Sequence, residues 1–140
     1  MELTESELLH DFDHAVSILS DLRKLGIRIA IDDFGTGYSA LAYMSKLPVD
    51  FLKIDKAFVQ SMESNSTDRL LTEVIIDLAS RFDLCTIGEG VELESQSKTL
   101  TGFGCDLLQG YYYSKPVDAN QLPTACGWSD MSEPTLLKAA

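Results

Sequence analysis

Five strand-like segments recur along the chain, and helix-patterned stretches separate them. The segments are Glu2-Leu3-Thr4, Arg28 to Ile31, Phe51 to Ile54, Leu84 to Ile87 and Leu107-Leu108. Between the first two, Asp11 to Lys24 places Ala15, Val16, Leu19 and Leu22 at helical spacing, and Gly26 closes that helix. A short helix is expected over Leu41 to Lys46, with a turn at Pro48. A longer helix is expected from Leu70 to Arg81, capped by Thr67 or Asp68, with Leu71, Val74, Ile75 and Leu78 as its buried stripe. Leu93 to Leu100 predicts a further helix, ended near Gly102. Successive strands start roughly 23 to 33 residues apart, about the length of one βα unit. Strand-helix alternation of this kind dictates a parallel sheet and the α/β class.

The polar residues of these segments gather at their C-terminal ends. The first carries Glu2 and Glu5, the second Asp32 and Asp33, the third Lys53 and Asp55. The fourth carries Glu89 and Glu92, and the fifth Gln109. Parallel strands put all those ends on one edge, which in a (β/α) barrel is the active-site face. Asp32-Asp33 stand out, because two adjacent carboxylates repel each other and resist desolvation unless a cation serves them. Glu2, Asp32, Asp33 and Glu89 are hard oxygen donors with no histidine or cysteine among them, a set suited to magnesium, manganese or calcium rather than zinc. Two such ions can clamp a phosphodiester. Lys53, flanked by Leu52 and Ile54, is expected to point inward and to orient water or offset phosphoryl charge.

Composition narrows the partners. The 140 residues are 45% hydrophobic, enough for one domain with a core, and the net charge is −11. No basic cluster runs along the chain, which argues against a DNA or RNA polymer as partner. Three scattered cysteines, Cys85, Cys105 and Cys126, suggest a reduced, cytoplasmic setting, with Cys85 a core residue. No membrane-length apolar stretch is present. Tyr111-Tyr112-Tyr113 is expected to alternate as strand packing. Gly35-Thr36-Gly37-Tyr38-Ser39-Ala40 matches the spacing of a dinucleotide-binding fingerprint, but the two carboxylates before it would repel a pyrophosphate.

Glu2-Leu3-Thr4-Glu5, Asp32-Asp33-Phe34-Gly35-Thr36-Gly37-Tyr38-Ser39, Leu52-Lys53-Ile54-Asp55, Glu89-Gly90-Val91-Glu92 and Gln109-Gly110-Tyr111 with Pro116 resemble, in order, the successive motifs of the EAL-domain family of bacterial cyclic di-GMP phosphodiesterases. The resemblance implies a TIM-barrel-like fold of which this chain holds about five of eight strands, so that the two outer strands present open edges. It implies that residues 1–117 are the C-terminal part of such a domain, without the strands bearing the Glu-Ala-Leu motif, and that 118–140 form an irregular tail.

By the same resemblance, Glu2, Asp32, Asp33 and Glu89 hold Mg²⁺ or Mn²⁺, two ions in the complete site. Lys53 contacts the nucleophilic water, and Glu89 binds metal or acts as base. Glu5 anchors the loop containing Gly35, Thr36, Gly37 and Ser39, while Glu92 and Gln109 line the site. The implied ligand is cyclic di-GMP, hydrolysed to the linear dinucleotide, and the implied assembly is a homodimer or self-association. Gly88 departs from the family's usual alanine, and Ala40 from its usual serine. The alternatives are a cyclic di-GMP-binding or protein-interaction module without turnover, and a truncated fragment.

Overall fold

The structure is a computed structural model that describes residues 1–4, 11–34 and 44–122. Five parallel strands form one sheet in sequential order: β1 (Glu2–Thr4), β2 (Ala30–Phe34), β3 (Phe51–Ile54), β4 (Cys85–Gly88) and β5 (Leu107–Leu108). Among the described residues four helices accompany them: α1 (Phe12–Lys24), α2 (Lys56–Ser61), α3 (Ser66–Arg81) and α4 (Glu94–Gly102). The fold is α/β, as the alternation predicts. A sheet whose strand order follows the chain order, with helical crossovers, is an arc of a (β/α) barrel. Among the described residues β1 pairs with β2 alone and β5 with β4 alone, so both outer edges are open.

The two faces of the arc differ. Ile29, Ile31, Leu52, Ile54 and Thr86 alternate toward the helices and are fully buried. Leu19, Val59, Ile76, Ala79 and Leu100 meet them from the helical layer, forming the core. Phe51, Cys85 and Ile87 point to the opposite face and are half-buried.

Three helices end alike. After α1, Gly26 takes φ +82°, its N–H bonds to Arg23 O at 2.9 Å, and Ile27 N–H reaches Leu22 O at 3.2 Å. Such an ending requires one residue with positive φ. After α4 it is Gly104 at +87°, but after α3 it is Asp83 at +56°.

Several boundaries and faces differ from expectation. β2 runs through both aspartates rather than ending before them, because Thr4 pairs with Asp32 and Phe34 with Ile54. The register slips between Ile31 and Phe34, where Asp33 has φ +55°, a bulge that lets the strand continue. α2 was not expected; Asp55 caps it, accepting from Ala57 N–H at 2.6 Å. α3 starts earlier than predicted, since Asn65 is its cap, accepting from Thr67 and Asp68 N–H. Its buried face is Thr72, Ile75, Ile76 and Ala79, while Leu71 and Val74 are exposed. Thr72 can enter the core because its hydroxyl donates to Asp68 O at 2.8 Å. Tyr111 to Tyr113 form an exposed turn instead of a strand, since Tyr113 N–H bonds back to Gly110 O. The expected helix over Leu41 to Lys46 is seen as a 3-10 turn at Met44–Lys46, its first part lying outside the described residues.

Candidate active site

Three strands and one strand-end loop bring their charged residues together on the half-exposed face. Lys53 lies mid-sheet on β3, and its side chain is 7% exposed. Its Nζ donates to Glu89 Oε1 at 2.9 Å, to Glu2 Oε2 at 3.0 Å and to Asp32 Oδ1 at 3.0 Å. The register explains the convergence. Glu2 and Asp32 lie on one face through the pairs Glu2↔Ala30 and Thr4↔Asp32, and Lys53 and Ile87 pair directly, with Glu89 two residues beyond Ile87. Burial alone pulls the ammonium's pKa down, but the hydrogen bonds to Glu89, Glu2 and Asp32 outweigh it and hold Lys53 above its ordinary value. Lys53 therefore carries its charge at neutral pH in the metal-free chain.

Asp33 sits apart from this cluster. The bulge turns it toward Asp55, and the hydrogen bond between the two carboxyls, followed by some burial and the charges of Asp32, Asp55 and Glu89, raises its pKa. Two carboxyls that share a hydrogen bond favour one proton between them. Asp55, a helix cap by its backbone contacts, is thus also a neighbour of the site.

Glu92 and Gln109 do not reach Lys53. With Lys56, Gln60, Glu89 and Tyr111 they line a groove of about 360 Å³ alongside the charged cluster. Glu92 Oε1 accepts from Gln60 Nε2 at 3.3 Å, which ties the loop after β4 to α2. Gly90 and Gly110 let these loops close up. A Cβ on Gly90 would stand 2.6 Å from Lys56 Cβ, and one on Gly110 would stand 2.1 Å from Val91 O. Glu5, Gly35, Thr36, Gly37 and Ser39 lie outside the described residues. Gln60 and Gln96 were missed by sequence reasoning; a glutamine three residues into a helix is the one signal that pointed to the second.

The donor set is chemically fit for a hard divalent cation: four carboxylates on one rim, with water access to Glu2, Asp32 and Glu89. Among the described residues, no three acidic, histidine or cysteine side chains close on a common point of their own. Glu2, Asp32 and Glu89 are instead gathered by the Lys53 ammonium. Not every acid at a strand end belongs to the site. At the opposite end of the sheet, Asp50 accepts from Arg23 Nη2 and from Ile29 N–H, both at 2.9 Å. Asp106 there accepts from Thr86 N–H at 2.7 Å and from its hydroxyl at 2.8 Å. These acids hold structure.

The described residues form an arc of a (β/α) barrel with carboxylates and a buried lysine gathered toward the C-terminal ends of its strands, the edge that carries the active site in barrel enzymes. The EAL domain family model matches residues 1–116, and the chain belongs to that family. It is 42% identical over 122 residues to the bifunctional diguanylate cyclase/cyclic di-GMP phosphodiesterase MucR of Pseudomonas aeruginosa, covering 87% of this chain and 18% of MucR. The solved PaMucR phosphodiesterase in complex with c-di-GMP superposes with a TM-score of 0.83 at 42% identity, covering 86% of this chain and 49% of that one. Klebsiella pneumoniae BlrP1, solved with manganese and cyclic di-GMP, gives a TM-score of 0.76 at 31% identity, covering 82% of this chain and 29% of that one. The chain thus spans less than a fifth of MucR and about half of the solved phosphodiesterase. No helix among the described residues is long and apolar enough to cross a membrane.

Proposed function

We propose that this chain carries the C-terminal rim of a cyclic di-GMP phosphodiesterase, hydrolysing the cyclic dinucleotide to its linear form with Mg²⁺ or Mn²⁺. The observation that carries the reading is the meeting of Glu2, Asp32 and Glu89 on the buried Lys53 ammonium. Family membership and relatives solved with c-di-GMP support the substrate.

Glu2, Asp32, Asp33 and Glu89 would hold the divalent cations. The metal, when bound, supplies Lewis-acid activation of water and charge neutralisation at the phosphoryl oxygens. Lys53 orients the attacking water and offsets charge on the phosphodiester. Glu89, in contact with Lys53, takes the water's proton. Glu92 and Gln109 line the groove where the dinucleotide lies. Residues 1–117 form the domain portion, a reading supported by the family match over residues 1–116. The open edges of β1 and β5 favour self-association or a homodimer.

The test is Mn²⁺ and cyclic di-GMP binding with product analysis, on the 140-residue chain and its Asp32→Asn variant. The chain contains no Glu-Ala-Leu segment. Asp32-dependent binding of both ligands is therefore expected, with negligible turnover by the chain alone. Binding of cyclic di-GMP unaffected by Mn²⁺ and by Asp32→Asn would refute the catalytic reading. It would support the second one, a binding module.

A further inference from the structure

The loop that carries Glu89 is held by a side chain outside the charged cluster. Gln96 is 3% exposed, on the first turn of α4. Its Oε1 accepts from Glu92 N–H at 2.8 Å and from Leu93 N–H at 3.0 Å. A glutamine at this position usually reaches the N-cap amide, here that of Leu93. Gln96 takes the preceding amide as well, so its grip extends beyond the helix into the loop.

From Glu92 back to Glu89 the chain has little slack. Val91 is fully buried, its N–H donates to Gln109 O at 3.0 Å, and its carbonyl accepts from Tyr112 N–H at 2.9 Å. Gly90, at φ +67°, is pressed against Lys56. Glu89 N–H donates to Ile54 O at 3.2 Å, and its carboxylate meets Lys53 at 2.9 Å. Only Gly90 and Val91 separate Glu89 from Glu92, and both are packed closely, so a shift at Glu92 is passed along a short stretch of backbone with no slack residue between.

We propose that Gln96 is a positioning residue for Glu89. By pinning the Glu92 and Leu93 amides it sets the 89–93 loop, and with it the place of the Glu89 carboxylate beside Lys53 and the wall of the adjoining groove. The inference rests on the phosphodiesterase reading only for what the positioned carboxylate serves; the positioning is a property of the metal-free chain.

The experiment compares wild type with Gln96→Met, which keeps the volume and loses the acceptor, and Gln96→Glu, which keeps the acceptor. Amide hydrogen exchange is read residue by residue without metal, and Mn²⁺ affinity is read by titration. Gln96→Met is expected to speed exchange about tenfold at Glu89 and Val91, two hydrogen-bonded amides that Gln96 does not touch, while β2 and β3 stay protected. It is expected to weaken Mn²⁺ binding about tenfold, as loss of a group that orients a ligand does. Gln96→Glu is expected to restore both. Faster exchange confined to Glu92 and Leu93, with Mn²⁺ affinity unchanged, would overturn the proposal and leave Gln96 a helix cap. If wild type binds no Mn²⁺, the phosphodiesterase reading fails, and exchange at Glu89 alone decides the positioning. Should Gln96→Met not fold, Gln96→Ser, too short to reach Glu92 N–H, is read by the same criteria.

Discussion

Replacing Lys53 with methionine keeps most of the side chain's length and removes its charge. Three carboxylates then lose the ammonium they share at 2.9–3.0 Å. At an effective dielectric of about 20, each such contact is worth about 5 kcal/mol before desolvation is charged against it. Removing one member of a fully buried ion pair costs about 3–5 kcal/mol, because the partner is left uncompensated. Here the abandoned carboxylates keep some water, with side-chain exposures of 20% for Glu89, 25% for Asp32 and 58% for Glu2. They also repel one another once the cation is gone, and relief from burying the ammonium offsets part of the loss. We therefore expect Lys53→Met to cost about 2–3 kcal/mol in urea unfolding at pH 7 without metal. Mn²⁺ should recover more stability in the variant than in wild type, since a cation at 100 times its Kd contributes about 2.7 kcal/mol and no longer competes with the ammonium. A stability change below about 0.5 kcal/mol would refute the idea that Lys53 gathers the rim carboxylates. So would a loss that Mn²⁺ recovers no better in the variant.

Three further outcomes follow from the same geometry. Asp33 has a raised pKa in the folded chain, so it binds its proton more tightly there than in the unfolded chain; its contribution is present at acid pH and is lost as pH rises from about 3.8 through the folded value. Asp33→Asn should accordingly raise metal-free stability at pH 7 and leave it nearly unchanged below pH ~3, as read from urea midpoints across pH. Asp83 occupies the positive-φ position after α3 that glycine fills after α1 and α4, so Asp83→Gly should stabilise by about 0.5–1 kcal/mol in thermal unfolding, and a loss would contradict the assignment. Gly110→Ala places a Cβ against Val91 backbone that cannot rotate away, and should cost about 1–3 kcal/mol or more in urea unfolding, together with cyclic di-GMP binding in the groove; a neutral variant would show that the two loops are not in close contact.

Much of this arrangement is legible in the sequence because strand periodicity is strict. Lys53 between Leu52 and Ile54 must face away from the helices if its neighbours face them, and the register then delivers it to Glu2 and Asp32. The Asp33–Asp55 contact is not legible, because it depends on a bulge that reverses the expected direction of one side chain. Helix α3 shows a different limit. Leu70, Leu71 and Val74 make one apolar face and Ile75, Ile76 and Ala79 another, and spacing alone does not choose between them. Thr72 tips the choice, since a threonine that bonds its own helix can be buried. Asp50 and Asp106 mark a third limit, because an acid near a strand reads the same whether it serves a site or the backbone N–H groups that Asp50 and Asp106 each bind. Gln96 left only the faint trace of a helix-start residue, because its partners are main-chain amides, which carry no sequence signature.

Glu2, Asp32 and Glu89 meet on Lys53, and we propose that they form the rim of a divalent-cation phosphodiester site. Mn²⁺ titration of the wild-type chain beside Asp32→Asn, with and without cyclic di-GMP, tests it most directly. Mn²⁺ is expected to bind, more tightly with cyclic di-GMP present, and Asp32→Asn to weaken that binding about tenfold or more. Equal Mn²⁺ affinity in the two proteins, indifferent to cyclic di-GMP, would contradict it.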